Sequence, residues 1–148
     1  MTTPAQPFLI LLVEDEMADA HLVKLALTEN QIPAVVEHVL DGREALEYLR
    51  RQTARFAEAV RPDLILLDLN MPRLDGREFL AAVKQDAALQ AIPVVALSTS
   101  AVERDIVGAY RLGAAGYITK PVDVADFITE IRQLNQYWMS LVRLPKHR

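Results

Sequence analysis

The chain has 148 residues, 51% of them hydrophobic and 24% charged, a balance that suits one globular domain with its own core rather than a disordered segment. A net charge of −4 with no run of Lys or Arg excludes an electrostatic footprint for nucleic acid. The absence of cysteine excludes disulfides, thiolate metal sites and cysteine nucleophiles. Residues 1–7 form a short polar lead without the basic start of a signal peptide. No apolar run approaches the roughly 20 residues that cross a bilayer. A cytoplasmic protein is expected, with no membrane contact.

Short apolar runs alternate with longer amphipathic stretches. Phe8 to Val13 is continuous and apolar, as a strand covered on both faces should be. Met17 to Glu29 places Leu22, Val23, Leu25 and Ala26 at helical spacing. Ala34 to Val39 reads as a valine-rich second strand. Asp41 and Glu44 form a capping-box-like start for a helix with Leu46 and Leu49 on its core side. Arg50 to Val60 fits either a helical extension or a loop.

Leu64 to Leu67 is a third strand that ends at Asp68. Asp75-Gly76 signals a turn before a helix carrying Phe79, Leu80 and Val83. Pro93 to Leu97 is a fourth strand. Val102 to Leu112 is a helix expected to turn Val102, Ile106 and Val107 inward and to close at Gly113. Gly116 to Thr119 is a short fifth strand. Val124, Phe127, Ile128, Ile131 and Leu134 make the inner stripe of a last helix. Five strands, each followed by a helix, imply an α/β fold: a doubly wound parallel sheet with its site at the carboxyl ends of the strands.

The polar residues stand at those ends. Glu14 and Asp15 follow the first strand, Asp68 the third, Ser98 and Thr99 the fourth, and Lys120-Pro121 the fifth. Clustered carboxylates raise one another's pKa unless a cation offsets them, and an all-oxygen set suits a hard cation such as Mg²⁺. Lys120 offers a point charge and Ser98 a hydroxyl donor to phosphoryl oxygens. Asp68 is the natural nucleophile, because a carboxylate can form an aspartyl-phosphate. Phosphoryl transfer needs mainly positioning and charge stabilisation, which this set supplies.

These residues carry a family resemblance. LLDLNMPRLDG (residues 66–76), ED at 14–15, LSTS at 97–100 and YITKP at 117–121 together resemble a response-regulator receiver domain. The resemblance implies the (βα)5 flavodoxin-like strand order 2-1-3-4-5. It implies that Asp68 is phosphorylated, and that Mg²⁺ is held by Glu14, Asp15, Asp68 and the main-chain carbonyl of Asn70. It implies that Ser98 and Lys120 bind the phosphoryl group, that Lys120-Pro121 is a cis peptide, and that Tyr117 is a switch turning inward when Ser98 engages phosphate. Asn70 and Thr99 would help set the phosphoryl lifetime. Glu14 stands where aspartate is also frequent and Ser98 where threonine is common; both keep the chemistry. The interval from Asp15 to Asp68 is longer than in the shortest members.

The resemblance spans a receiver domain at 8–134, followed by a helix extension and tail at 135–148. The segment from Phe127 to Pro145 is similar to that of small regulators paired with phytochromes, which would make a phytochrome histidine kinase the phosphodonor. Tyr137, Trp138, Leu141, Val142 and Leu144 prolong the apolar stripe past the expected end of the core, so a homodimer is expected there. Three histidines, His21, His38 and His147, show no metal-ligand spacing and read as surface or packing residues. The phosphohistidine must then come from another protein, a sensor histidine kinase. The output would be protein contact, including relay to a further phosphotransfer protein. Such a chain is a signalling phosphoacceptor, not an enzyme acting on a separate substrate. The competing class, an aspartyl-phosphate phosphatase of the haloacid-dehalogenase kind, needs a second aspartate where this chain has Asn70. A flavin domain would want a hydroxyl- and glycine-rich loop where Glu14-Asp15-Glu16 stands, and a P-loop motif is absent. A receiver-like module that takes no phosphate is the remaining alternative, against which the complete acidic, hydroxyl and lysine set argues.

Overall fold

The computed structural model describes residues 8–69, 76–99, 102–120 and 124–142. The elements follow in the order β1 Phe8–Val13, α1 Met17–Glu29, β2 Ala34–Val39, α2 Gly42–Arg50, β3 Leu64–Asp68, α3 Gly76–Gln85, β4 Val94–Ser98, α4 Glu103–Arg111, β5 Gly116–Thr119 and α5 Val124–Val142. A short 3₁₀ helix at Ala54–Phe56 lies between α2 and β3. The five strands form one parallel sheet in the order β2-β1-β3-β4-β5. The chain winds one way from β1 to β2 and the other way from β3 onward. The reversal leaves a crevice at the carboxyl ends of β1 and β3, where an open α/β sheet binds its ligand.

Strand periodicity explains the two cores. Leu11, Val13, Ile65 and Leu67 point to one face and meet Ala45 and Tyr48 of α2, Phe79, Leu80 and Val83 of α3, and Ala109 of α4. Ile10, Leu12, Leu64, Leu66 and Val95 point to the other and meet Ala20, Val23, Ala26 and Leu27 of α1 with Phe127 and Ile131 of α5. Central β3 and β4 are buried along their whole length, whereas the edge strand β2 alternates between half-buried and exposed residues up to Val39. Each fully buried Leu, Ile or Phe contributes roughly 2 kcal/mol of transfer free energy, which makes the central strands the anchor of the fold.

The local signals act largely as expected. Asp41 Oδ1 accepts from the Glu44 N–H at 2.8 Å, but Glu44 Oε1 returns the bond to the Leu40 N–H at 3.1 Å, one residue before the cap. Gly113, with φ of 108°, closes α4, and its N–H donates to the Tyr110 carbonyl. Arg51 takes a left-handed conformation and stops α2, so Arg50 to Val60 is not a helical extension. It folds back to bury Phe56, whose ring lies edge-on to Tyr48 at 5.3 Å, while Tyr48 Oη donates to the Val60 carbonyl.

The expectation for α4 needs correction. Val102 and Val107 are exposed, Ile106 is only half-buried, and Ala109 is the buried residue of this helix. A helix with one fully buried residue has little burial to hold it, and such elements open at low cost. At its other end, α1 is clasped to α5. Asn30 Nδ2 donates to the carbonyls of Ala26 and Ile128, and Asn30 Oδ1 accepts from Arg132 Nε. No helix among the described residues is long and apolar enough to cross a membrane. Asn70, the Lys120-Pro121 peptide and Leu144 lie outside the described residues, as do the side chains of Tyr137, Trp138, Leu141 and Val142.

Candidate phosphoacceptor site

Three strand ends set the stations of the site, each held by a main-chain bond that prolongs the sheet. The Glu14 N–H donates to the Val39 carbonyl, the Leu69 N–H to the Leu97 carbonyl and the Lys120 N–H to the Ser98 carbonyl. Asp68 is the last residue of β3, in register with Leu97, and is 2% exposed. Glu14 is fully buried, and Asp15 is exposed at the rim. One carboxylate oxygen from each of Glu14, Asp15 and Asp68 lies within 4.8 Å of the others. Three hard oxygen donors on one rim fit a divalent cation that keeps part of its hydration shell.

Lys120 reaches into this cluster with a side chain only 10% exposed. Its Nζ lies 2.8 Å from Glu14 Oε1, 2.9 Å from Asp19 Oδ2 and 3.3 Å from Asp68 Oδ1. Burial draws the ammonium's pKa down, but hydrogen bonds to Glu14 and Asp19 and the charges of Asp68 and Glu14 outweigh it, so the pKa is raised and the group stays charged. For Glu14 the balance differs. Burial first, and then a hydrogen bond to the Asp68 carboxyl, push its pKa up to about 8 against the opposing pull of Lys120. Without a cation, Glu14 therefore tends to keep its proton at neutral pH.

Two linked effects follow. A carboxyl raised from 4.5 to about 8 on folding favours the fold fully below the lower value, and that contribution is lost as pH rises through the upper one. A cation must displace the Glu14 proton, so its affinity is expected to climb as pH rises towards about 8 and then level off, with proton release at pH 7. Titration calorimetry in two buffers of different ionisation enthalpy measures that release; an affinity flat across the range is the contrary result.

Ser98 ends β4, is 1% exposed and is in register with Thr119, so it sits on the strand between Asp68 and Lys120. Thr99 is exposed. Tyr117 is half-buried and packs against the core shared by α2, α3 and α4. The structure thus brings Glu14, Asp15, Asp68 and Lys120 together, with Ser98 on the intervening strand.

A family model described as the response regulator receiver domain matches residues 10–132. The chain belongs to the response regulator receiver family. Response regulator Rcp1 of Synechocystis sp. is 40% identical over 139 residues, covering 94% of each chain. Two solved receivers overlay closely. The phosphorylated cyanobacterial phytochrome response regulator RcpA matches with TM-score 0.83 and 46% identity over 92% of this chain and 96% of its own. The Mn²⁺-bound form of Rcp1 matches with TM-score 0.80 and 40% identity over 89% and 94%.

As a receiver, this chain is a component of two-component signalling, in which a histidine kinase supplies the phosphoryl group. Sequence reasoning missed two residues of its rim. His38, assigned only to surface or packing, uses Nε2–H to donate to the Glu14 carbonyl at 2.7 Å. The β1–β2 register, Leu12 beside His38, puts it there, and no local motif signals it. Asp19 was likewise not singled out, because an acidic residue in the first turn of a helix is ordinary.

Proposed function

We propose that this receiver accepts a phosphoryl group on Asp68 from the phosphohistidine of a sensor kinase, with Mg²⁺ held by Glu14, Asp15, Asp68 and the Asn70 carbonyl. The observation that carries the reading is the meeting of three carboxylates within 4.8 Å of one another with an ammonium 3.3 Å from Asp68 Oδ1. An Asp68 oxygen forms the new P–O bond as the donor's P–N bond breaks, the electron pair returning to the imidazole. Lys120 and Ser98 balance the charge on the phosphoryl oxygens. A bound divalent cation supplies further charge neutralisation for that transfer. The chemistry acts on the chain's own aspartate, so the chain is a phosphoacceptor rather than an enzyme with a separate substrate. The test is incubation with acetyl phosphate and Mg²⁺ read by intact mass. A single Mg²⁺-dependent adduct supports the reading, and no adduct refutes it.

The phosphodonor we propose is a phytochrome histidine kinase, on the strength of the likeness to Rcp1 and to a receiver described as a phytochrome response regulator. The receiver domain is assigned to 8–134. Its readout face centres on α4, with exposed Val102, Val107 and Tyr110, and on β5, with half-buried Tyr117, the proposed switch. A further phosphotransfer protein is one partner class for that face.

We also propose a homodimer through the end of α5. Phe127 and Ile131 are buried in the domain core, and α5 continues as a helix to Val142. Phe127, Ile131, Leu134, Trp138 and Leu141 recur at alternating intervals of four and three residues, the spacing of a helix-pairing seam, and Tyr137 flanks it. Trp138→Ala is expected to shift the sedimentation coefficient to that of a monomer; unchanged sedimentation removes the extension as the interface.

A further inference from the structure

Asp19 occupies the third position of α1, where an acidic side chain usually returns a hydrogen bond to the N-cap main chain. Here that duty is taken elsewhere. The Glu16 N–H donates to Glu14 Oε2 at 3.3 Å, and Glu16 itself caps the helix by accepting from the Ala18 N–H. The Asp19 carboxylate turns instead to Lys120 Nζ, 101 residues along the chain, at 2.9 Å. It is not one of the three carboxylates that converge as a cation cluster.

An ammonium has three donor protons, and Lys120 faces three carboxylates. Two of them, Glu14 and Asp19, are nearer than Asp68. The contact to Asp68 Oδ1 is the longest of the three, so a phosphoryl oxygen that takes its place still shares Lys120 with Glu14 and Asp19 and draws the ammonium closer only if one of them gives ground. Glu14 is fully buried, so no water can replace a bond it loses from Lys120. The Asp19 side chain is 38% exposed and has water to fall back on. Asp19 is the partner that yields.

We infer that Asp19 is a positioning residue that competes with the phosphoryl group for Lys120, holding the ammonium back in the unphosphorylated receiver and so setting how tightly the phosphorylated state is bound. This rests on Asp68 being the phosphoacceptor. The competition makes the ammonium's move from Asp19 to phosphoryl oxygen part of the switch, felt at the first turn of α1. It also makes residue 19 an adjustable element that alters neither the nucleophile nor the cation ligands.

The test is the affinity for beryllofluoride, a phosphoryl mimic, at saturating Mg²⁺ and fixed pH. A partly exposed ion pair of this kind is worth up to about 1 kcal/mol, so Asp19→Asn is expected to tighten beryllofluoride about three- to fivefold. Asp19→Glu, which keeps the charge and can reach further, should stay near wild type. In a Lys120→Gln background the tightening caused by Asp19→Asn should disappear, an outcome that a general loss of negative charge or a purely structural role for Asp19 would not give. Unchanged or weaker beryllofluoride binding in Asp19→Asn overturns the inference, as does tightening of equal size without Lys120. If the wild type itself binds no beryllofluoride, the phosphoacceptor reading fails and takes this inference with it.

Discussion

Asp68→Asn should abolish the phosphoryl adduct formed with acetyl phosphate and Mg²⁺ while leaving the protein folded. The amide has the shape of the carboxyl but is no nucleophile towards phosphorus, and β3 itself carries no other carboxylate to replace it. The same change should raise the thermal midpoint in the absence of divalent cations. Carboxylate oxygens of Glu14, Asp15 and Asp68 crowd within 4.8 Å of one another, so removing the Asp68 charge relieves that crowding. Lys120 keeps its two nearest partners, Glu14 and Asp19. A gain on the order of 1 kcal/mol corresponds to about 2–4 °C at this chain length. An adduct of undiminished yield in the variant would move the nucleophile elsewhere, and a lowered midpoint would mean that attraction to Lys120 outweighs the repulsion.

Gly76→Ala should damage both stability and phosphorylation, although alanine is the better helix former. A methyl group at position 76 would lie 2.6 Å from the Asp68 carbonyl oxygen and 2.9 Å from Leu69 Cα. Both are main-chain atoms and cannot swing aside as a side chain would. The helix cannot retreat easily either, because Phe79, Leu80 and Val83 of α3 are fully buried. Overpacking of this sort costs about 1–3 kcal/mol, more than the roughly 1 kcal/mol that helix propensity returns. What moves is the end of β3, and a small displacement of the nucleophile should slow phosphorylation at least about tenfold. Gly108→Ala in α4 is the matched control, since its added methyl meets nothing within 4 Å. Urea unfolding and acetyl phosphate kinetics on both variants separate the cases. Equal behaviour of the two would show that the close approach at Gly76 is not a constraint.

The parts of the fold legible in the sequence are those set by local pattern. The continuous apolar runs of β1, β3 and β4 mark strands covered on both faces, and Gly113 marks the end of α4. Glu14, Asp68 and Ser98 are legible because each is the first polar group after such a run, and Lys120 from the YITKP motif. Arg50 to Val60 was not legible, since Phe56 is placed by an edge-on contact with Tyr48 rather than by any local period. The error on α4 has a related cause. Helical spacing shows which residues share a face, not whether that face is seated, and here Val102 and Val107 remain in solvent. Asp19 and His38 were missed because they act across 101 and 24 residues of chain respectively. Each looks unremarkable beside its sequence neighbours.

The main-chain bonds that continue the sheet at Glu14, Leu69 and Lys120 divide labour between backbone and side chain. The scaffold's hold on these positions runs through amides and carbonyls, which every non-proline residue possesses. A lineage can therefore rewrite the side chains at the rim, retuning or silencing the chemistry, without giving up the sheet that carries α4 and β5. Loss of the phosphoacceptor, or a change in how long the phosphoryl group persists, is therefore accessible from this architecture by single steps that leave the fold intact.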